Sequence, residues 1–297
     1  VGKTKLALEL AQLLTGEIIS ADSRYLYRGA DIGTAKPSLE ERAVVLHHLI
    51  DVADPDQPWS LAEYSTAVTQ LITEINQRKH LPVLVGGTGQ YIFSILEGWS
   101  IPRGAADPEL RAKLEATAEQ IGGAALYQQL KEVDPLAASQ IDPRNVRRVI
   151  RALEVTLTSG QPFSAQRLKS PPNYQVFIVG LTLPRVELYR RIDARVDSMF
   201  AAGWVAEVQT LVAKGYEWSL PAMSAIGYQQ IGQYLRGEMT LEEAIRSIKH
   251  TTRVFVRRQA NWFKATDPRI HWYDARSVDP AALASDLQTY FDHNSPL

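Results

Sequence analysis

Cysteine is absent from all 297 residues. That excludes disulfides, a catalytic thiolate and cysteine-ligated zinc, and it fits a reducing cytoplasm. No apolar run reaches the roughly 20 residues of a membrane span, so no membrane is expected, and no secretory leader is visible. Neither sign of charge is in excess. The 32 Lys and Arg against 33 Asp and Glu leave a formal charge of −1, so any nucleic-acid surface has to be a local patch. There is no internal repeat and no low-complexity tract. What remains is a globular composition, 45% hydrophobic and 22% charged, with length for one large domain or two smaller ones.

The first four residues organise the rest. Val1-Gly2-Lys3-Thr4 is the tail of a phosphate-binding loop of the form G-x-x-x-x-G-K-[ST], running into a helix over Lys5–Leu14 that Gly16 can end. The glycine lets backbone N–H groups close on phosphate oxygens, and the helix start adds a positive dipole end. Lys3 reaches the phosphates and Thr4 can hold Mg²⁺. The motif's opening glycine and the strand before it are missing, and chains do not naturally begin with valine. The sequence therefore reads as truncated, and as printed it is expected to fold poorly or to bind diphosphate weakly.

Glu17–Ser23 reads as a buried parallel strand with Asp22 just past its C-terminal end, where functional groups collect in α/β sheets. Asp22 suits a loop acid or helix cap, a Walker-B-like Mg²⁺ ligand, or a general base. The pattern alone favours the Mg²⁺ ligand over the base. Asp31–Pro37, with its glycine and proline, is an ordered loop. His47 and His48 are adjacent and point different ways, which argues against a two-histidine metal site. Ser60 and Glu63 form a capping box for a helix to about Arg78. Pro82–Gly89 then gives a strand, two glycines and Thr88, followed by a helix over Gln90–Leu96. Two glycine–threonine loops between β and α elements together suggest a phosphate or pyrophosphate site.

The stretch Ile101–Pro108 marks a boundary, and the chain to about Gly160 lacks strands and reads as a helical insertion. Within it Arg144, Arg147, Arg148 and Arg151 share one helix face, either a solvated stripe or a contact for phosphate backbone. Val176–Leu181 resumes the core sheet. A helix over Glu187–Ala202 carries Arg190, Arg191 and Arg195, and Ser224–Gln229 is a compact loop or helix start. A long helix over Leu241–Lys264 lines up Arg246, Lys249, Arg253 and Arg257, with Arg258, Trp262, Phe263 and Lys264 following. Cations and aromatics together suit RNA, although the aromatics can equally be core. His271–Tyr273 is a last strand before a terminal helix. The fold class is α/β: a P-loop NTPase-like parallel-sheet core over residues 1–106 and 171–297, with a mostly helical insertion over 107–170.

Seven segments together resemble the bacterial tRNA dimethylallyltransferase (tRNA isopentenyltransferase) family, over nearly the whole chain. They are Gly2-Lys3-Thr4, Ser20–Ser23, Asp31-Ile32-Gly33-Thr34-Ala35-Lys36-Pro37, Val85–Thr88, Arg151–Glu154, Ile226-Gly227-Tyr228, and Arg257-Arg258-Gln259 with Trp262. The whole Asp31-Ile32-Gly33-Thr34-Ala35-Lys36-Pro37 run is the most specific of these signatures. The resemblance implies transfer of a dimethylallyl group from dimethylallyl diphosphate to N6 of the adenosine 3′ of the anticodon, in tRNAs reading codons that begin with U. Mg²⁺ is the implied cofactor.

Carried over residue by residue, the resemblance places Val1, Gly2, Lys3, Thr4 and Arg195 on the diphosphate, with Thr4 on Mg²⁺ and Thr88 at the reacting centre. It makes Asp22 the base for the amine, against the Mg²⁺ role that the pattern favours. It puts tRNA on Asp22, Ser23, Arg24, Tyr25, Thr88, Arg111, Arg147, Arg148, Arg151, Ser224, Gly227, Tyr228, Gln229, Arg257, Arg258 and Gln259. A cytoplasmic monomer acting on the anticodon stem-loop is expected. The competing readings are an isopentenyltransferase for free adenine nucleotides, a P-loop small-molecule kinase, and an RNA-binding protein with a vestigial nucleotide fold.

Overall fold

The structure is a computed structural model describing residues 2–101, 107–166, 168–172 and 174–293. Its chain forms two compact units, one of Val1–Ser94 with Asn173–Leu297 and one of Ile95–Pro172. The sequence places these divisions at 106/107 and 170/171. Residues 102–106 lie outside the described residues.

Among the described residues, five strands lie in the first unit: β1 (Gly16–Ala21), β2 (His47–His48), β3 (Leu81–Gly86), β4 (Ile178–Thr182) and β5 (Ile270–Asp274). Every pairing is parallel, but the strands fall into two sheets. One has the order β2-β1-β3 and the other pairs β4 with β5. Among the described residues, the strand expected to resume the core sheet after the insertion thus pairs with the last strand rather than with β1 or β3.

Helix α1 (Lys3–Leu13) serves both sheets. Leu6 and Leu10 pack with Leu283, Ala284 and Leu287 of α14 (Pro280–His293) and with Val179, Leu181 and Tyr273 of the second sheet. Ala7 and Ala11 turn to Ile18 of β1, with Val83 and Val85 of β3 alongside. Leucines on one face and alanines on the other set the spacing: small side chains let α1 approach the first sheet closely, and large ones fill the space to the second. The helix ends at Leu13 rather than at Gly16. Gly16 instead opens β1, where an added Cβ would meet the Leu81 carbonyl at 3.0 Å.

Between these strands lie α2 (Leu39–Val44), α3 (Leu61–Gln77) and α4 (Gly89–Leu96). The Ser60–Glu63 capping box of α3 is present, with Ser60 N–H donating to Glu63 at 2.6 Å and Glu63 N–H to Ser60 Oγ at 3.2 Å. After β4 come α10 (Arg185–Ala201), α11 (Trp204–Ala213), a 3-10 turn (Ala222–Ser224), α12 (Tyr228–Leu235) and α13 (Leu241–Gln259). Helix α13 stops five residues short of the expected Lys264, because Trp262 and Phe263 turn aside to pack with Phe93.

The second unit is helical, as its composition suggests: α5 (Pro108–Ile121), α6 (Gly123–Val133), α7 (Pro135–Gln140), α8 (Val146–Ser159) and α9 (Phe163–Gln166). Leu114, Leu126, Leu130, Val149, Leu153 and Phe163 are among its core residues. Among the described residues no helix is long and apolar enough to cross a membrane.

Candidate active site

The C-terminal ends of the parallel strands and the start of α1 carry the polar groups. Gly2 adopts φ 91°, a left-handed conformation that glycine takes without strain, and its carbonyl accepts the Leu6 N–H at 3.1 Å. This turn starts α1 with Lys3 and leaves the half-buried Thr4 in the first turn. Val1 lies outside the described residues.

Asp22 follows β1 directly. Its N–H donates to Ser20 Oγ at 3.3 Å, and its Oδ1 accepts the Arg24 N–H at 2.9 Å. Burial pushes its carboxyl above the ordinary range, while the Arg24 N–H and the charges of Lys3, Arg24 and Arg195 pull the other way. Desolvation by the surrounding protein holds the Lys3 ammonium below its usual value; Asp22 raises it and Arg195 lowers it further. Lys3 nonetheless keeps an exposed surface. Lys3, Asp22 and Arg195 therefore form one electrostatic cluster, and Tyr25 joins it. Burial and Asp22 push the Tyr25 phenol up to about 12, against Arg195.

The second glycine–threonine loop is fastened to the first strand. Thr88 N–H donates to the Ala21 carbonyl at 3.2 Å, and Thr88 Oγ1 accepts the Ser23 N–H at 3.3 Å. The Thr88 carbonyl then accepts the N–H groups of Tyr91 and Ile92, starting α4. Thr88 and Asp22 are thereby brought together across 66 residues of sequence. From α13, Gln259 Nε2 donates to the Gly87 carbonyl at 3.0 Å, holding the loop from outside. Chemically, two cations and a helix start can grip an anion beside one carboxylate that accepts protons and one hydroxyl.

The IPP transferase family model matches residues 25–266. The chain belongs to that family. The match begins just after Asp22, so Lys3, Thr4 and Asp22 precede it. Relatives extend the similarity. A tRNA dimethylallyltransferase of Roseiflexus castenholzii is 55% identical over 264 residues, covering 89% of this chain and 86% of that protein. One from Herpetosiphon aurantiacus is 50% identical over 293 residues, covering 99% and 93%. Among solved structures, the full-length tRNA isopentenylpyrophosphate transferase of Bacillus halodurans has a TM-score of 0.71 at 40% identity, covering 98% of this chain and 92% of that one. A eukaryotic dimethylallyltransferase acting on tRNA has a TM-score of 0.83 at 25% identity, covering 100% and 78%.

In this IPP transferase family member, the other site residues read from sequence divide by environment. Arg24 bonds the Pro221 carbonyl and donates to Ser224 Oγ at 3.2 Å, linking two of the expected segments. Ser224 and Gln229 are exposed, whereas Gly227 and Tyr228 are buried. The Tyr228 hydroxyl donates to Glu207 at 2.6 Å, so its side chain is engaged inside the protein. Arg257 and Arg258 are exposed at the end of α13. The rest of that basic stripe is occupied: Arg246 pairs with Glu242 at 2.9 Å, Lys249 with Asp197 at 2.6 Å, and Arg253 with Asp193.

In the helical unit, Arg111, Arg147 and Arg151 line one groove of about 560 Å³ with Glu115, Glu119, Val146 and Ile150. Arg111 and Arg151 also hold the fully buried Glu154 carboxylate, at 2.8 and 2.9 Å. Arg147 and Arg148 are exposed. Arg144 pairs with Asp142 at 2.6 Å.

Sequence reasoning missed the groups that hold the Asp31–Pro37 loop. Lys36 Nζ, with its side chain 1% exposed, donates to the Tyr27 carbonyl at 2.5 Å, to Asp31 at 2.7 Å and to Asp51 at 2.6 Å. Asp51 accepts Arg42 as well, at 2.7 Å. The loop's glycine and proline announced order, but nothing in the local sequence named these partners.

Proposed function

We propose that the chain transfers a dimethylallyl group from dimethylallyl diphosphate to N6 of the adenosine 3′-adjacent to the anticodon of tRNA. The observation that carries this reading is the cluster of Lys3, Arg195, Asp22 and Thr88 at one end of the strands, with Thr88 bonded to Ser23 beside Asp22. Family membership and relatives named for this reaction support it.

Lys3 and Arg195 hold the diphosphate, with free N–H groups of the first turn of α1 adding to the grip. Adenine N6 is a weak nucleophile because its lone pair is shared with the ring. Asp22 accepts a hydrogen bond from that amine and then its proton. The N6–carbon bond forms at the allylic carbon while the carbon–oxygen bond breaks, and its electron pair leaves with the diphosphate. Charge building on the leaving group is met by Lys3 and Arg195. Thr88 Oγ1, already fixed by the Ser23 N–H, sits at the reacting centre.

Mg²⁺ fits the donor set, since Thr4 offers a hard hydroxyl oxygen at the helix start and substrate phosphates and water complete such sites. When bound, the ion supplies charge neutralisation of the leaving diphosphate. The target base lies stacked in the anticodon loop and has to be turned out, at a cost of a few kcal/mol. Ser23, Arg24, Tyr25, Ser224, Gln229, Arg257, Arg258 and Gln259 offer RNA contacts in the first unit. Arg111, Arg147, Arg148 and Arg151 offer a second basic surface.

The test is acceptor choice. The full-length protein is given Mg²⁺, labelled dimethylallyl diphosphate, and unmodified tRNA, AMP or ATP. Label on tRNA alone supports the reading. Label on AMP or ATP alone makes it a free-nucleotide enzyme, and ATP-dependent phosphorylation without prenyl transfer makes it a kinase.

A further inference from the structure

Glu207, on α11, lies outside every motif read from the sequence. Its Oε2 accepts the N–H groups of Asp31 at 2.8 Å and Ile32 at 2.6 Å. Its Oε1 accepts the Gly33 N–H at 3.1 Å and the Tyr228 hydroxyl at 2.6 Å. All four neighbours donate. The three backbone N–H groups can only donate, so two accepting carboxylate oxygens suit the set, whereas an amide would turn its NH₂ toward the Gly33 N–H or toward those of Asp31 and Ile32. One turn earlier, Trp204 packs against the same two loops. A Cβ added at Gly33 or at Gly227 would lie 1.9 or 2.0 Å from its indole. Helix α11 thus grips the Asp31–Gly33 loop with one set of contacts and the Gly227–Tyr228 turn with another.

Both grips lead to the reacting end of the first unit. From Gly33 the loop runs to Ala35, whose carbonyl accepts the Tyr25 hydroxyl at 2.7 Å, and Tyr25 shares the electrostatic cluster of Asp22 and Arg195. From Gly227 the turn leads back to Ser224, which accepts Arg24. Glu207 therefore stands where the two arms of a closed path meet: residues 22–25 on one side and 224–229 on the other.

We infer that Glu207 is a positioning residue for the tRNA acceptor, holding the Asp31–Gly33 loop and Tyr228 together so that Tyr25 and the Ser224–Gln229 segment keep one arrangement. This rests on the function proposed above. Among the described residues Glu207 bonds to none of Lys3, Thr4 and Arg195, and it reaches Arg195 only through Tyr25, so losing it is expected to weigh on the acceptor more than on the donor.

The test compares full-length wild type, Glu207→Gln and Tyr228→Phe in label transfer, reading KM for tRNA, kcat and the Kd of dimethylallyl diphosphate. Glu207→Gln faces donors with a donor, and KM for tRNA is expected to rise about tenfold or more while the diphosphate Kd stays within about twofold. Tyr228→Phe keeps the three backbone bonds and gives a smaller rise of the same kind. An unchanged KM for tRNA in both variants overturns the inference. So does an equal loss of tRNA and diphosphate binding, which would make Glu207 a general stability residue. If Glu207→Gln does not fold, Tyr228→Phe decides by the same two readouts. A wild-type protein that transfers nothing to tRNA overturns the functional reading and this inference with it, a result distinct from an unaffected variant.

Discussion

Replacing Arg111 by alanine takes away half of the guanidinium support of a buried carboxylate. Glu154 is 0% exposed; its two oxygens accept Arg111 Nη2 at 2.9 and 2.8 Å, and Oε2 also accepts Arg151 Nη1 at 2.9 Å. Removing one partner of a fully buried ion pair costs about 3–5 kcal/mol when the other charge is left alone. Here Arg151 remains, and Arg111 is itself 43% exposed. About 1–3 kcal/mol is the appropriate figure, that of one charge-assisted hydrogen-bonded contact discounted for solvent.

The pH dependence has a definite sign. Burial raises the Glu154 carboxyl, but Arg111 and Arg151 together hold it below its usual value. In the wild type the pair therefore contributes stability above the unfolded carboxylate pKa, and this is lost as pH falls. Without Arg111, burial gains weight and protonation becomes less costly, so the gap between variant and wild type closes on acidification. Hydrogen exchange at α8 amides reads this locally, without assuming that both units unfold together. A second variant, Arg111→Ala with Glu154→Leu, removes the stranded acid and is expected to recover part of the loss. Equal α8 protection in wild type and Arg111→Ala at neutral pH, or a gap that widens in acid, refutes the reasoning. The outcome also bears on tRNA, because an affinity loss in Arg111→Ala includes this local loosening.

Arg147→Ala and Arg148→Ala are each expected to weaken tRNA binding and to flatten its log–log salt dependence by about one unit, as loss of a phosphate contact does; an unchanged slope removes that residue from the interface. Gln259→Ala frees the Gly87 carbonyl and is expected to lower kcat about fivefold with the diphosphate Kd unchanged, measured by single-turnover transfer and equilibrium binding. Glu17 sits buried at the start of β1, and the Arg78 hydrogen bonds, against burial and with help from His48 and His80, hold its carboxyl down to about 2. Glu17→Gln is expected to lower the urea midpoint at neutral pH, with the gap to wild type closing as pH falls from about 4.5 toward about 2.

Much of the candidate site's layout was legible because its chemistry is written locally. Gly2-Lys3-Thr4 reads as a loop entering a helix, and Asp22 and Thr88 each follow an apolar strand, so their common end of the sheet follows from α/β topology. The Ser60–Glu63 box likewise fixed the start of α3. What sequence could not reach is partnership over long separations. The stripe Arg246–Arg257 has the spacing of an RNA-binding face, yet Asp193 and Asp197 on α10 take Arg253 and Lys249 from it. Tyr228 stands in a family signature, but its hydroxyl is spent on Glu207, twenty-one residues earlier in the chain. The end of α13 was misplaced for a similar reason: helical propensity continues past Gln259, and only packing of Trp262 and Phe263 with Phe93 draws the chain away.

The account turns on Asp22 as the acceptor of the N6 proton. The direct measurement is single-turnover transfer from labelled dimethylallyl diphosphate to tRNA, with products digested to nucleosides, for wild type and Asp22→Asn across pH. Burial raises this carboxyl, so wild-type rate is expected to hold at neutral pH and to fall in acid through a pKa above the ordinary Asp value of about 3.9. Asp22→Asn is expected to be slower on the order of 10²-fold or more and to lack that acid limb, with label still confined to N6-dimethylallyladenosine. A near-normal rate in Asp22→Asn, or the same acid limb in both proteins, contradicts the mechanism.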